Sequence, residues 1–150
     1  MTYIAQETLI SSIINALFSM AFFLVFFHGA TELTLGANSQ LTLDFLPQAF
    51  FVGLFAALPA SLLTIKRIKS GSLTPTSNSS SLPHSLLLRI AVLALSSLVV
   101  FGAGAVLLFS LLPTIQIGFY PAIIFKTVYG VVITLCITPA AVRAAMSSRL

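Results

Sequence analysis

The sequence predicts an all-α integral membrane protein with four transmembrane helices arranged as two hairpins. Three observations carry this. The chain has 150 residues, of which 58% are hydrophobic and only 7% charged, where a soluble domain carries about 25% charged residues. It contains four apolar runs, each long enough to span. Its basic residues stand almost entirely at the ends of those runs.

A bilayer core of ~30 Å needs about 20 apolar residues in a helix rising 1.5 Å per residue. The runs extend from about Leu9 to Phe27, Phe45 to Ile65, Leu86 to Leu112 and Phe119 to Val142. Helices are required because lipid gives the backbone no hydrogen-bond partner. The runs are too long for strands and do not alternate. Pro47 and Pro121 fall near helix starts, where the missing N–H costs little. Pro59 and Pro139 lie further in and predict kinks. Met1 to Glu7 has no basic n-region of a secretory signal, so the first run is expected to be a helix of the mature protein.

Three connections remain. His28 to Asp44 is polar with alternating apolar residues. Lys66 to Ser85 is the longest, and its Ser/Thr/Pro-rich centre reads as a flexible linker. Pro113 to Gly118 reads as a short turn. Residues 1–69 therefore form the first hairpin, 70–85 the linker and 86–150 the second hairpin.

Lys66, Arg67, Lys69, Arg89, Arg143 and Arg149 all fall on one side of this topology. Glu32, Asp44 and His28 fall on the other. The positive-inside rule places both termini and the linker in the cytoplasm, and the expected location is a bacterial inner membrane. A net charge of +4 does not imply nucleic acid, because the basic residues form no single solvated face. The lone cysteine, Cys136, can form no intrachain disulfide and reads as a small buried residue.

The two halves align with an offset of 74 residues. Leu41-Thr42-Leu43-Asp44-Phe45-Leu46-Pro47 matches Ile115-Gln116-Ile117-Gly118-Phe119-Tyr120-Pro121, with Phe and Pro in register. Both hairpins would enter in the same orientation, as a parallel repeat. The Asp/Gly-Phe-x-Pro motif, a small-residue first helix and a closing Pro and Arg resemble a small bacterial two-helix membrane domain family of unknown function. That resemblance implies a tandem duplication and no particular activity. The layout is also similar to that of the proteobacterial antimicrobial compound efflux proteins. That likeness is one of layout alone, since the first apolar run holds no acidic residue of the kind such exporters would use.

The polar residues within the runs are the functional candidates. Lys126 lies about 10 Å into the fourth span at 1.5 Å per residue. A charge there either snorkels to the headgroups or faces protein. Lys126, Gly130, Thr134 and Thr138 recur every four residues and share one face. Asn15, flanked by Ser11 and Ser19, is the strongest polar group of the first span. Asp44 precedes the second span and is expected to cap it, with an ion pair to Lys126 as the alternative. Lys126, Asn15, Thr134, Thr138 and Asp44 are thus the candidates for a substrate path or gate. Gly53, Ala57, Ser61 and Gly130 are expected to serve close helix packing, and Gly102-Ala103-Gly104 a close crossing or weakened helix.

No phosphate loop, metal-ligand spacing or catalytic triad is present. Catalytic and metal-binding residues are expected to be none, cofactors none, and the chain not an enzyme. The leading expectation is a small-solute transporter or channel-like protein acting as a homo-oligomer. The alternative is an accessory subunit that binds another membrane protein.

Overall fold

The structure is a computed structural model that describes residues 2–76 and 80–147. The linker centre at residues 77–79 and the basic residue Arg149 lie outside the described residues. Four helical segments are long and apolar enough to cross a membrane: Tyr3–Phe26, Gln40–Lys69, Leu86–Leu111 and Phe119–Met146. In chain order the elements are α1 (Tyr3–Phe26), β1 (Glu32–Leu35), α2 (Gln40–Leu43), α3 (Phe45–Lys69) and α4 (Leu86–Ser97). A π-helical turn (Leu98–Ala103) then leads into α5 (Gly104–Leu111), β2 (Ile115–Gly118) and α6 (Phe119–Met146).

The first helix starts earlier than its apolar run. Thr2 caps it through a side-chain bond from the Ala5 N–H, so Glu7 lies inside α1 and is buried. The expectation that the first helix holds no acidic residue is therefore corrected. Apolarity alone marked the start, whereas the cap fixes it one and a half turns earlier.

The helices do not pack as two self-contained hairpins. α3 and α6, the second helix of each hairpin, pack against each other at the centre. α1 leans mainly on α6, while α4 and the π turn lean on α3. Each first helix thus packs on the second helix of the other hairpin. Both crossings use a glycine against a serine. A Cβ at Gly53 would stand 2.6 Å from Ser97 Cβ, and one at Gly130 would collide with Ser19 Oγ. Small residues at these positions let the backbones approach, the main source of helix adhesion where lipid is as apolar as leucine.

The short connections fold together rather than remaining loops. β1 pairs antiparallel with β2, Glu32 opposite Gly118 and Leu35 opposite Ile115. Their period-two alternation is the cause, with Leu33 and Leu35 turned into a cap cluster with Phe23, Phe27, Leu41 and Phe45. Gly36 is a glycine because a Cβ there would lie 2.7 Å from Thr114 Oγ1. The two aligned lead-ins differ in backbone: residues 115–118 form a strand, whereas 40–43 form a helical turn capped by Ser39, whose Oγ accepts from the Thr42 N–H.

The π turn occupies the stretch before Gly104. Gly102 lets it approach Leu46 Cα and Ala49 Cβ, each at 3.3 Å from a hypothetical Cβ. Ser97 Oγ donates to Ala49 O at 2.7 Å, and Tyr129 Oη donates to Phe101 O at 2.7 Å. Tyr129→Phe is expected to cost about 1 kcal/mol by losing one such bond. Amide exchange should speed up in the π turn, and thermal unfolding in detergent measures the loss.

On the opposite face the linker folds back. Thr76 N–H donates to Met146 O at 3.0 Å, and the buried Arg89 donates from Nη1 to Ala144 O at 3.1 Å. Both satisfy carbonyls in the last turn of α6, where a cation is also favoured by the helix dipole. Cys136 is exposed on the outer surface of α6 rather than buried. Apolar surroundings in the sequence do not distinguish core from lipid.

Candidate functional site

α1 is turned inside out relative to a soluble helix. Its buried residues include Glu7, Thr8, Ser11, Ser12, Asn15 and Ser19. Its exposed face carries Leu9, Ile10, Ile13, Ile14, Leu17 and Phe18. This is the arrangement hydrocarbon demands: polar groups inward, apolar groups outward. α6 presents a matching face, with Lys126, Gly130, Thr134 and Thr138 all buried. The two faces meet where α1 packs on α6, and α3 closes the side with Gln48, Val52, Ala56, Ala60 and Thr64.

The seam is closed at each end by an ion pair. Near the β ribbon, Lys126 Nζ lies 2.8 Å from Asp44 Oδ2, with Lys126 only 2% exposed and the Asp44 side chain 20%. The ammonium also stands 3.9 Å from the Phe45 ring centroid, close enough for a cation–π contribution. Lys126 therefore faces protein and does not snorkel. Asp44 stands at the N-cap of α3 but makes no side-chain cap bond; the capping expectation is corrected because the carboxylate is turned to the buried ammonium. Gln48 ties the site to two helices, donating from Nε2 to Lys126 O at 2.7 Å and to Ser19 Oγ at 3.5 Å.

At the basic face, Arg67 Nη1 lies 3.5 Å from Glu7 Oε1, with Glu7 almost wholly buried and Arg67 side chain 41% exposed. Arg67 also stacks over Tyr3 at 5.0 Å, and Tyr3 Oη shares a hydrogen bond with Thr64 Oγ1 at 3.0 Å. Sequence reading missed Glu7 and Arg89 as buried ionisable groups. Glu7 was legible as an acid four residues before Ser11 on one helix face; Arg89 was legible only as a topology marker.

Between the ion pairs the seam is polar and incompletely bonded. Thr134 Oγ1 donates to Gly130 O at 2.9 Å within its own helix. Asn15, 1% exposed, has neither Nδ2 nor Oδ1 hydrogen-bonded among the described residues. Ser12 Oγ, Thr138 Oγ1 and Gln48 Oε1 are likewise buried without a protein partner, as is Ser61 Oγ in the Gly53–Ala57 row of α3 away from the seam. Buried polar atoms are normally satisfied by protein or ordered water, and leaving one bare costs about 1–3 kcal/mol. A cavity of about 70 Å³ adjoins the Lys126–Asp44 end, with Ser19, Asp44, Gln48 and Lys126 in its otherwise apolar wall. It has room for a few waters.

The structure thus brings Lys126, Asp44, Asn15, Thr134 and Thr138 onto one seam. Of the packing candidates, Gly53 meets α4 through Ser97, Gly130 meets α1 through Ser19, and Ala57 and Ser61 are buried on α3. His28 is exposed beyond the end of α1. Among the described residues no three His, Cys, Asp or Glu side chains gather as metal ligands would.

No family model matches the chain, no curated protein is similar to it, and no solved structure matches its fold.

Proposed function

We propose that the protein is a small-solute transporter or channel-like protein of a bacterial inner membrane, held closed in this conformation. The observation that carries the reading is the Asn15 amide, buried with both ends unbonded, on a polar seam running between two ion pairs. A seam meant only for adhesion gains nothing from bare amide and hydroxyl atoms in hydrocarbon. A hydrophilic path uses them to replace the hydration of what passes. Lys126–Asp44 and Glu7–Arg67 act as the two gates. The path lies among α1, α3 and α6 of one chain, so it does not need a second copy to enclose it.

The basic face, with Lys66, Arg67, Lys69 and Arg143, is assigned to the cytoplasm by the positive-inside rule. The tandem duplication is kept as part of this reading, supported by the exchanged packing of the first helices and by the paired Gly–Ser crossings.

A cysteine at position 15, in a Cys136→Ala background, tests the path. In native membranes a small membrane-impermeant thiol reagent is expected to label Asn15→Cys faster than the lipid-facing Ile14→Cys. Purified protein in liposomes should release a trapped polar solute, and Asn15→Leu should slow that release. Labelling no faster than at position 14, with no solute release, would remove the transport reading. The accessory-subunit reading would then stand, and one observation favours it: an outward aromatic ladder with Phe22–Phe51 and Phe18–Phe55 ring separations of 6.1 and 5.3 Å.

A further inference from the structure

Arg143 stands at the junction of two concavities on the basic face. One, of about 510 Å³, is lined by Thr76, Ser80, Ser81 and Ser147 as well as Arg143. The other, of about 740 Å³, runs between α1 and α6 and is walled by apolar residues such as Leu9, Val131, Leu135 and Pro139, with Thr2, Thr8 and Ser12 on its α1 side. Ile4 and Arg143 line both, so the two are continuous. The first offers hydroxyls and a guanidinium; the second offers mostly hydrocarbon.

The charge environment is one-sided. The sequence has three acidic residues. Glu7 is turned to Arg67, Asp44 to Lys126, and Glu32 lies on the β ribbon at the other end. None lines either concavity. Arg143 is exposed and takes part in neither ion pair of the described residues. Its height also matters. Arg143 sits in the last turn of α6, and the groove extends from it back to Val131. That is ~18 Å at 1.5 Å per residue, about the depth of one leaflet with its headgroups.

We propose that these paired concavities form a binding site for one anionic glycerophospholipid. The phosphate sits against Arg143 and the hydroxyls of Ser80 and Ser81, beside Ser147, whose Oγ donates to Ala144 O at 3.1 Å, and an acyl chain lies along the α1–α6 groove. A guanidinium suits this task because its planar fork matches phosphate oxygens, and the groove fixes which lipid it meets. A bound chain lies against Thr8 and Ser12 of α1, so the lipid touches the edge of the same α1 face that carries Asn15. The site stands independently of the transport reading.

Native mass spectrometry of the whole chain, released from a neutral detergent, tests it with phosphatidylglycerol against phosphatidylcholine of the same acyl chains. The expected preference for phosphatidylglycerol is about fivefold, which is what one basic residue at a membrane surface supplies. Arg143→Gln should bring that ratio close to one, Arg143→Lys should keep part of it, and Lys69→Gln should leave it intact. Leu135→Trp, which fills the groove, should weaken both lipids together. The proposal is overturned if Arg143→Gln leaves the ratio unchanged, if Lys69→Gln lowers it as much, or if glycerol phosphate without acyl chains displaces the lipid.

Discussion

Asp44→Ala is expected to destabilise the protein by about 3 kcal/mol, because it leaves the Lys126 ammonium buried without its counter-ion. Lys126 is 2% exposed and the cavity beside it is otherwise apolar, so the few waters it can hold replace the carboxylate poorly. The reverse change is milder. Lys126→Met leaves Asp44, whose side chain is 20% exposed and lies at the start of α3, where water and the helix dipole still serve it. A cost of about 1 kcal/mol is expected there, near the net worth of one ordinary hydrogen bond. The double variant should recover most of the Asp44→Ala loss, since replacing a buried pair by apolar groups is often close to neutral. Unfolding midpoints in a denaturing-detergent titration measure all three. Equal effects of the two single changes would show that the pair behaves as an exposed one, worth about 0–1 kcal/mol.

Gly53→Ala is expected to cost about 2 kcal/mol, as overpacking of a tight contact does. Its new methyl would stand 2.6 Å from Ser97 Cβ and 3.4 Å from Ala94 Cα. Neither atom can rotate away, so α4 must shift from α3, and the 2.7 Å bond from Ser97 Oγ to Ala49 O lengthens with it. Gly130→Ala meets a softer neighbour. The clash there is with Ser19 Oγ, while Ser19 Cβ is 3.4 Å away. The hydroxyl can turn aside, giving up only the 3.5 Å contact from Gln48. The expected cost is within about 1 kcal/mol, the value of one weak hydrogen bond. If the clash is the cause, Ser97→Gly should be less damaging in the Gly53→Ala background than alone, where it loses the bond to Ala49 O and places a glycine in a helix. If Gly130→Ala proves the more damaging, the α1–α6 crossing is the tighter joint and the order of the two is reversed.

The length, number and order of the spanning helices were legible in the sequence. Apolar runs of the required length leave few alternatives when backbone polar groups must bond within their own segment. The four-residue spacing of Lys126, Gly130, Thr134 and Thr138, and of Ser11, Asn15 and Ser19, was also legible, since helical periodicity places such residues on one face. Their inward direction was not. A stripe shows which residues share a face and leaves open whether that face meets lipid, another helix or water. Lys126 and Cys136 illustrate this. Each sits in an apolar run, yet one is buried and the other exposed.

What the tertiary structure alone decided lies in contacts between segments far apart in the chain. β1 and β2 come from different hairpins, and neither four-residue alternation specifies a partner. Glu7 meets Arg67, Asp44 meets Lys126 and Arg89 meets Ala144 O across separations that local periodicity cannot encode. The sequence by itself determined that this chain builds four spanning helices with polar stripes. Only the packing of α1 on α6, with α3 closing the side, decided that the stripes face one another. The physical reason is that lipid makes every polar atom seek a partner, while which partner it reaches depends on where small residues let the helices touch.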